Sequence, residues 1–294
     1  MSTAPPPGLT ARQARAIAAV AARAQGPALP RGLRVTLHFH PDAPVGPSHA
    51  AARTFVLAAL GREGRYRSQF ETGTSNGGLT AHPGGDRWRW ESRIFDGAYD
   101  DGPSHERPVY GALDFRGRVY GAAPRFGSAF LRLRAHTLER TTFCFPDSVF
   151  EPAHFGTSAR MGLLSLAASA DHDRLDEYIE AQVHGPVELE RDVEALVLDP
   201  CYRGTPVEAC ARALPCALEW HPGYRLHGGA FERLAEYRGP EVAALGGALA
   251  AETGDGWLTP ASLGHARRAG AHDPQHLKKV WHCLARFGAM DESA

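Results

Sequence analysis

Between residues 109 and 198 the chain repeats short runs of β-branched and aromatic residues, cut by turn signals. Val109–Phe115, Ala129–Arg134, Thr141–Phe145, Glu177–His184 and Val193–Leu198 each read as a strand. With Leu33–Phe39 upstream, these runs constrain the fold more than anything else in the chain. They predict an α+β protein: a mixed, mostly antiparallel sheet core with peripheral helices. One run is unusual. In Glu177–His184 the residues Tyr178, Glu180, Gln182 and His184 project to one face of the strand. A wholly polar, titratable face is hard to explain as plain core, because unpaired polar groups are costly to bury. It is either a solvent face or the lining of a cleft.

Helices are expected around this sheet. Residues 1–8 are Pro-rich and read as disordered. Thr10 and Gln13 have capping-box spacing ahead of Ile17 and Val20, which predicts a helix of about four turns. Ser48 is placed to cap a second helix carrying Phe55, Val56, Leu57 and Leu60, with Gly61 as its stop. Met161–Ala168 reads as a short helix, and the chain after Pro200 as mainly helical. There, Thr259-Pro260 and Asp273-Pro274 start helices that Gly270 and Gly288 end. The organisation expected is an N-terminal tail and helix over 1–30, an α+β core over 31–200 and a helical C-terminal region over 201–294.

Composition narrows the class. The 294 residues are 43% hydrophobic, enough for a large globular core. A net charge of −1 implies no global pull toward nucleic acid or membrane. The five cysteines are odd in number and form no CxxC pair, which argues against a disulfide scaffold or a zinc ribbon and points to a reducing cytoplasm. No secretory leader pattern and no apolar run of membrane-spanning length is present.

The segment from Tyr66 to Gly78 carries a different signal. Tyr66 and Phe70 alternate with Arg67, Gln69 and Glu71, which reads as a strand over Tyr66–Glu71 with one polar face. The Thr72–Gly78 loop that follows is rich in small residues whose backbone N–H groups can approach a ligand closely. The combination suggests an anion or nucleotide site. Gly73-Thr74-Ser75-Asn76-Gly77 also matches GxSxG, but a nucleophile elbow needs a helix next, and Gly78, Pro83, Gly84 and Gly85 follow instead. A loop near a ligand is the better reading. Pro83–Asp86 reads as a turn and Trp88–Phe95 as a short helix. Arg87-Trp88-Arg89-Trp90-Glu91 reads as a half-buried helix with Arg stems over Trp rings rather than a nucleic-acid strip, and could form a wall of the site because it follows the Gly-rich loop directly. Cys201, Cys210 and Cys216 near His221 fit no zinc spacing and read as packing residues.

The order of Arg67, the hydroxyl strand Thr141-Thr142 with Ser148 beyond, and Glu180 resembles the Arg-Ser-Glu class of mono-ADP-ribosyltransferases over roughly residues 64–200. That resemblance implies NAD as a substrate and no metal. It implies Glu180 as the catalytic carboxylate, Arg67 as a grip on the NAD pyrophosphate, and Thr141 or Thr142 orienting Glu180. Gln182 would face the acceptor. Further NAD contacts would come from Ser68, Gln69, Thr74, Ser75, Asn76, Gly77 and Tyr178. Two departures stand out. The residue two before Glu180 is Tyr178 where that class has Gln or Glu, and its Ser-Thr-Ser strand is represented by Thr141 and Thr142 alone. Most of the chain also resembles a bacterial domain-of-unknown-function family, recognisable by YRSQFETGTSNGGLTA, GGDRWRWE and YIEAQVHG. That second likeness implies no activity.

The expectation is therefore an ADP-ribosyltransferase-like cytoplasmic enzyme that uses NAD and a protein, nucleic-acid, small-molecule or water acceptor. Two alternatives remain open. His38 and His40 share a strand face and could open a metal site, giving a metal-dependent hydrolase, with His82, His105, His184, Asp199 and His221 as further ligand candidates. Or the Gly-rich loop holds a nucleotide in a non-catalytic binding module.

Overall fold

A computed structural model describes residues 8–45, 54–73 and 80–290. Along the chain its main elements are α1 (Ala11–Ala21), β1 (Val35–Phe39), α2 (Val56–Glu63), α3 (Gln69–Thr72), α4 (Asp86–Ile94), β2 (Val109–Leu113), β3 (Ala129–Leu133), β4 (Thr141–Phe145), β5 (His154–Thr157), α5 (Leu163–Ser169), β6 (Ile179–Val183), β7 (Val193–Leu198), α6 (Pro206–Arg212), β8 (Ala217–Trp220), α7 (Pro240–Ala251), α8 (Pro260–Ala269) and α9 (Pro274–Phe287). The fold is α+β, as the run of short strands predicts. Contacts divide the chain into two compact units. The first is drawn from Met1–Leu37, Gly64–Ala123 and Leu131–Glu194, the second from His38–Glu63, Pro124–Phe130 and Ala195–Ala294.

In the first unit the strands run in the order β1, β2, β6, β4, β5, each antiparallel to its neighbour. Register decides what meets what. Glu180 lies opposite Ala112 on one side and Cys144 on the other, and Gln182 lies opposite Tyr110 and Thr142. Directly paired residues share a face, so Tyr110, Thr142, Cys144, Glu180 and Gln182 stand together. The apolar core beside them joins Ala16 and Val20 of α1 to Trp90 and Ile94 of α4, with Phe95, Ala98, Tyr99 and Cys144. The pair Ala16 and Val20 is one helical turn apart, which is why a single stripe of α1 buries. Its start is fixed as the sequence predicts: Thr10 and Gln13 form a complete capping box.

In the second unit β7 and β8 pair in parallel, from Ala195 opposite Ala217 to Leu198 opposite Trp220. Helix α9 buries Leu277, Val280, Trp281 and Leu284, the i, i+3, i+4, i+7 stripe of an amphipathic helix. Its Trp281 indole donates to the carbonyls of Pro124 and Arg125, both at 3.0 Å. Helix α8 meets Asp42 at Gly264, where a Cβ would lie 1.7 Å from the carboxylate. Thr259 and Asp273 cap α8 and α9 with Pro at the following position, and Gly270 and Gly288 end them.

Two expectations are corrected. Tyr66–Glu71 is not a strand: only Arg65–Tyr66 is extended, pairing with Val187–Glu188, and Gln69–Thr72 is a helical turn. The cause is a capping box. The Ser68 hydroxyl accepts from the Glu71 N–H at 3.3 Å and the Glu71 carboxylate accepts from the Ser68 N–H at 2.9 Å. The second helix also differs. Phe55 sits in an extended pair with Pro44, and α2 runs through Gly61 to Glu63, ending at Gly64 with φ of +67°. Its expected cap, Ser48, lies outside the described residues, as do most of the Pro-rich tail and the loop residues Thr74, Ser75, Asn76 and Gly77. No helix among the described residues is long and apolar enough to cross a membrane.

Candidate functional site

The polar face of β6 is neither solvent-exposed nor idle. Tyr178, Glu180, Gln182 and His184 are all buried, none more than 5% exposed. Burying so many polar groups on one strand requires partners, and neighbouring elements supply them.

Glu180 is the point on which donors converge. Its Oε2 accepts from the Ser148 hydroxyl at 2.9 Å and from the Ser148 N–H at 3.4 Å. Its Oε1 accepts from the Gln182 amide at 3.1 Å and the Cys144 thiol at 3.7 Å. The Arg87 guanidinium of α4 stands 3.9 Å from Oε1 and donates to the Ser148 hydroxyl at 3.2 Å. Burial lifts the Glu180 carboxyl above the usual carboxylate range. Arg87 pulls it back down, nearby Asp147 pushes it up, and Ser148 and Gln182 oppose that push. Burial also raises the Cys144 thiol, so this cysteine is a neutral donor and not a thiolate nucleophile.

A second carboxylate beside the first is treated differently. Glu91 of α4 accepts from Arg107 at 2.6 Å and from the Tyr110 hydroxyl at 2.8 Å. Its side chain has no exposure, whereas that of Glu180 keeps 7%. Arg87 lies over the Tyr110 ring at 4.1 Å. Burial alone would lower its guanidinium, but Tyr110, Glu180 and Glu91 outweigh it and hold Arg87 firmly charged.

Thr142, Gln182 and Glu180 thus come together. The Thr142 hydroxyl donates to Gln182 Oε1 at 2.8 Å and lies 3.0 Å from His184 Nε2. Thr141 is turned elsewhere, its hydroxyl donating to the Thr137 carbonyl at 2.7 Å. The Tyr178 hydroxyl donates to Asp147. Arg67 is exposed, in the link between the Arg65–Tyr66 strand and α3, and the guanidinium facing Glu180 is that of Arg87. Ser68 caps α3 and donates its hydroxyl to the Ser104 carbonyl at 3.0 Å; Gln69 is half-buried. Phe70 of the same turn lies under Arg107, with 4.1 Å between guanidinium and ring centre. Residues Thr74 to Gly77 are outside the described chain.

Sequence reasoning missed Asp147 and Arg107, and offered Arg87 and Glu91 as a wall of the site without assigning them to this network. A signal for the latter two was present. Arg87 and Glu91 are four residues apart and share the helical stripe of Trp90 and Ile94, so the apolar face of α4 necessarily carries one cation and one anion inward.

The two strand histidines sit in the second unit. His38 Nδ1 is 3.2 Å from the Gly127 carbonyl, and its ring stacks on Phe130 with centroids 5.1 Å apart. His40 meets Trp281 edge-on at 4.9 Å. Burial lowers both imidazoles, His38 to about 3, so both are neutral near pH 7. Among the described residues no group of three or more His, Cys, Asp or Glu side chains is gathered as a metal would require.

No curated protein sequence matches this chain. Among solved structures, DarT from Thermus sp. 2.9 in complex with NAD+ is similar at 12% identity and a TM-score of 0.37, over 65% of this chain and 96% of that one. A family described as a protein of unknown function, DUF3626, matches residues 34–170 and 162–287, and the chain belongs to that family.

Proposed function

We propose that the chain is an ADP-ribosyltransferase-like enzyme that cleaves the nicotinamide–ribose bond of NAD, with Glu180 as the carboxylate at the ribose. One observation carries the reading, and it is a contrast. The Glu91 charge is neutralised at contact distance by Arg107 and sealed from solvent. Glu180 is oriented by donors on both oxygens, keeps slight exposure, and has its cation at 3.9 Å. Coulomb energy falls with distance, so Glu180 retains more uncancelled negative potential than Glu91 does. Leaving such potential in a low-dielectric site suits a reaction that develops positive charge.

Cleavage of the C–N glycosidic bond does this. Nicotinamide leaves with the bonding pair as a neutral base, and the ribose becomes oxocarbenium-like. A fixed carboxylate stabilises that charge without reorganising. The nucleophile then forms the new bond at the anomeric carbon, and its proton passes to Glu180. The raised basicity of Glu180 suits that last step. Arg67 is assigned to the NAD pyrophosphate, where a guanidinium can bind two oxygens at once. Its segment supports this, because Phe70 ties the turn to Arg107 and so to the Glu91 and Arg87 side of the same face. Thr142 orients Glu180 through Gln182.

The test is incubation with NAD, alone and with cell lysate, with released nicotinamide and mass-shifted products read by mass spectrometry. Wild type is expected to release nicotinamide, and Glu180→Gln to release it roughly 10²- to 10⁴-fold more slowly. Release by Glu180→Gln at the wild-type rate, or none by wild type under any condition, overturns the assignment.

A further inference from the structure

Beyond Glu180 the buried face continues as one chain of hydrogen bonds. Tyr99 OH is 2.7 Å from His184 Nδ1, and His184 Nε2 is 3.0 Å from Thr142 Oγ1. Thr142 Oγ1 is 2.8 Å from Gln182 Oε1, and Gln182 Nε2 is 3.1 Å from Glu180 Oε1. The direction of every link follows from its ends. A carboxylate can only accept, so Gln182 must present its NH₂ to Glu180 and its oxygen to Thr142. The single Thr142 proton therefore goes to Gln182, and Thr142 must accept from His184. That requires the proton of the neutral imidazole on Nε2 and leaves Nδ1 as an acceptor, which the Tyr99 hydroxyl fills.

We propose that Tyr99 and His184 are positioning residues of the Glu180 site: through Thr142 they lock the Gln182 amide with its donors toward the carboxylate. The surroundings fit a neutral, fixed imidazole. His184 is fully buried, Phe95 meets it edge-on at 5.2 Å, and the Arg140 guanidinium donates to its carbonyl. Burial, with Arg140 adding to it, holds the imidazole at about 3, so it stays neutral through the working range. Removing the Tyr99 hydroxyl frees the proton of His184 to move to Nδ1. Nε2 then accepts from Thr142, the Thr142 proton leaves Gln182, and the amide can turn its oxygen onto Glu180.

The geometry stands without any assumption about NAD; its effect on rate rests on the function proposed above, and the experiment separates the two. In wild-type protein, two-dimensional ¹⁵N–¹H spectra of the His184 ring are expected to show protonated Nε2 and bare Nδ1 near pH 7. In Tyr99→Phe the Gln182 side-chain amide resonances should move. The titration of Glu180, followed by ¹³C NMR of its carboxyl, should move to higher pH. The other charged and titratable groups are unchanged in that variant: Arg87, Asp147, Cys144, Tyr110 and Glu91 around Glu180, Arg140 beside His184, and Glu106 and Arg107, which with Glu91 face Tyr99. If nicotinamide release is observed, kcat should fall about 3- to 10-fold with KM for NAD unchanged, the equivalent of one hydrogen bond. A wild-type His184 protonated on Nδ1, or a folded Tyr99→Phe protein in which Gln182 and Glu180 signals stay put, overturns the relay whether or not NAD is cleaved. The wild-type tautomer decides the matter even if the variant does not fold.

Discussion

The two units bury polar groups by different means. Around Glu180 the groups are charged and satisfy one another: Arg107 with Glu91, Arg87 with Ser148, Gln182 with Glu180, Thr142 with Gln182. Arg87 Nε and Trp90 Nε1 on α4 are exceptions. In the second unit the buried polar set joins neutral imidazoles to two aspartates, Asp42 paired with Arg268 at 2.6 Å and Asp199 accepting from the Cys201 and Tyr224 N–H groups. His38 and His221 hold the carbonyls of Gly127 and Ser128, and His40 packs on Trp281. Among the described residues, Asp42 Oδ1 and His282 Nε2 there have no hydrogen-bond partner, and the Ser128 and Tyr202 hydroxyls have only each other. A network of mutual charges is organised to hold a particular group in a particular state. A set of neutral rings fills space and holds backbone groups without carrying charge.

The largest expected difference is in acid. A histidine whose folded pKa lies below 6.5 is protonated first in the unfolded chain. Its stabilising effect is complete above pH 6.5 and drains as pH falls toward the folded value, at up to ~1.4 kcal/mol per pH unit for each histidine. Burial lowers His38 and His282 to about 3, His40 well below its ordinary value, and His221 in the same direction. The first unit has His184 alone among its strongly lowered histidines, and it has an offset. Glu91 and Glu180, raised chiefly by burial, take up protons in the folded state first, which favours folding as pH drops through their folded values. Hydrogen exchange from pH 7 to pH 4 should therefore open the segments 124–130 and 195–290 before β4 and β6. Simultaneous opening, or the reverse order, removes the distinction.

The next effect is confined to the charged network. Arg107→Met leaves Glu91 buried against Tyr110 without its cation, at a cost of about 3–5 kcal/mol in urea unfolding. Adding Glu91→Met should return most of that loss, because a well-packed apolar pair is often no worse than a buried ion pair. If the double variant is as unstable as the single, the pair contributes more than mutual neutralisation and the account of Glu91 given above is incomplete.

How far this contrast was legible in the sequence depended on the kind of pattern. The strand Thr141–Phe145 and the shared face of Tyr178, Glu180, Gln182 and His184 follow from period-two alternation, which is local. The capping box at Thr10 is local too. Ser68 to Glu71 carries the same box, but there it competes with an apparent alternation through Tyr66 and Phe70, and the cap wins because it satisfies two N–H groups at the helix start. Arg87 was harder. Its identity as the cation at Glu180 depends on α4 meeting the sheet, and charged residues between tryptophans look like surface until that meeting is known. The fates of His38 and His40 also needed tertiary structure, since the carbonyl of Gly127 and the ring of Trp281 lie far along the chain.

The smallest effect compares like with like, one hydroxyl removed from each unit. Thr142→Val keeps the shape of the side chain but strips the acceptor from His184 Nε2–H and the donor from Gln182 Oε1. Leaving buried polar atoms unpaired should cost about 1–3 kcal/mol. Ser128→Ala removes an oxygen whose side-chain partner is the Tyr202 hydroxyl, while its carbonyl, which holds His221 at 2.8 Å, is untouched. With one neutral hydroxyl left unpaired, against two polar ends at Thr142, the loss should be the smaller of the two, about 0.5–1 kcal/mol. Both proteins can be unfolded in urea under identical conditions, so the difference between the two midpoints is the quantity to read. A Ser128→Ala loss as large as that of Thr142→Val would mean that the Ser128 hydroxyl is held as firmly as that of Thr142. The second unit would then hold its polar groups as tightly as the first, and the neutral, space-filling role given to its histidines would have to be abandoned.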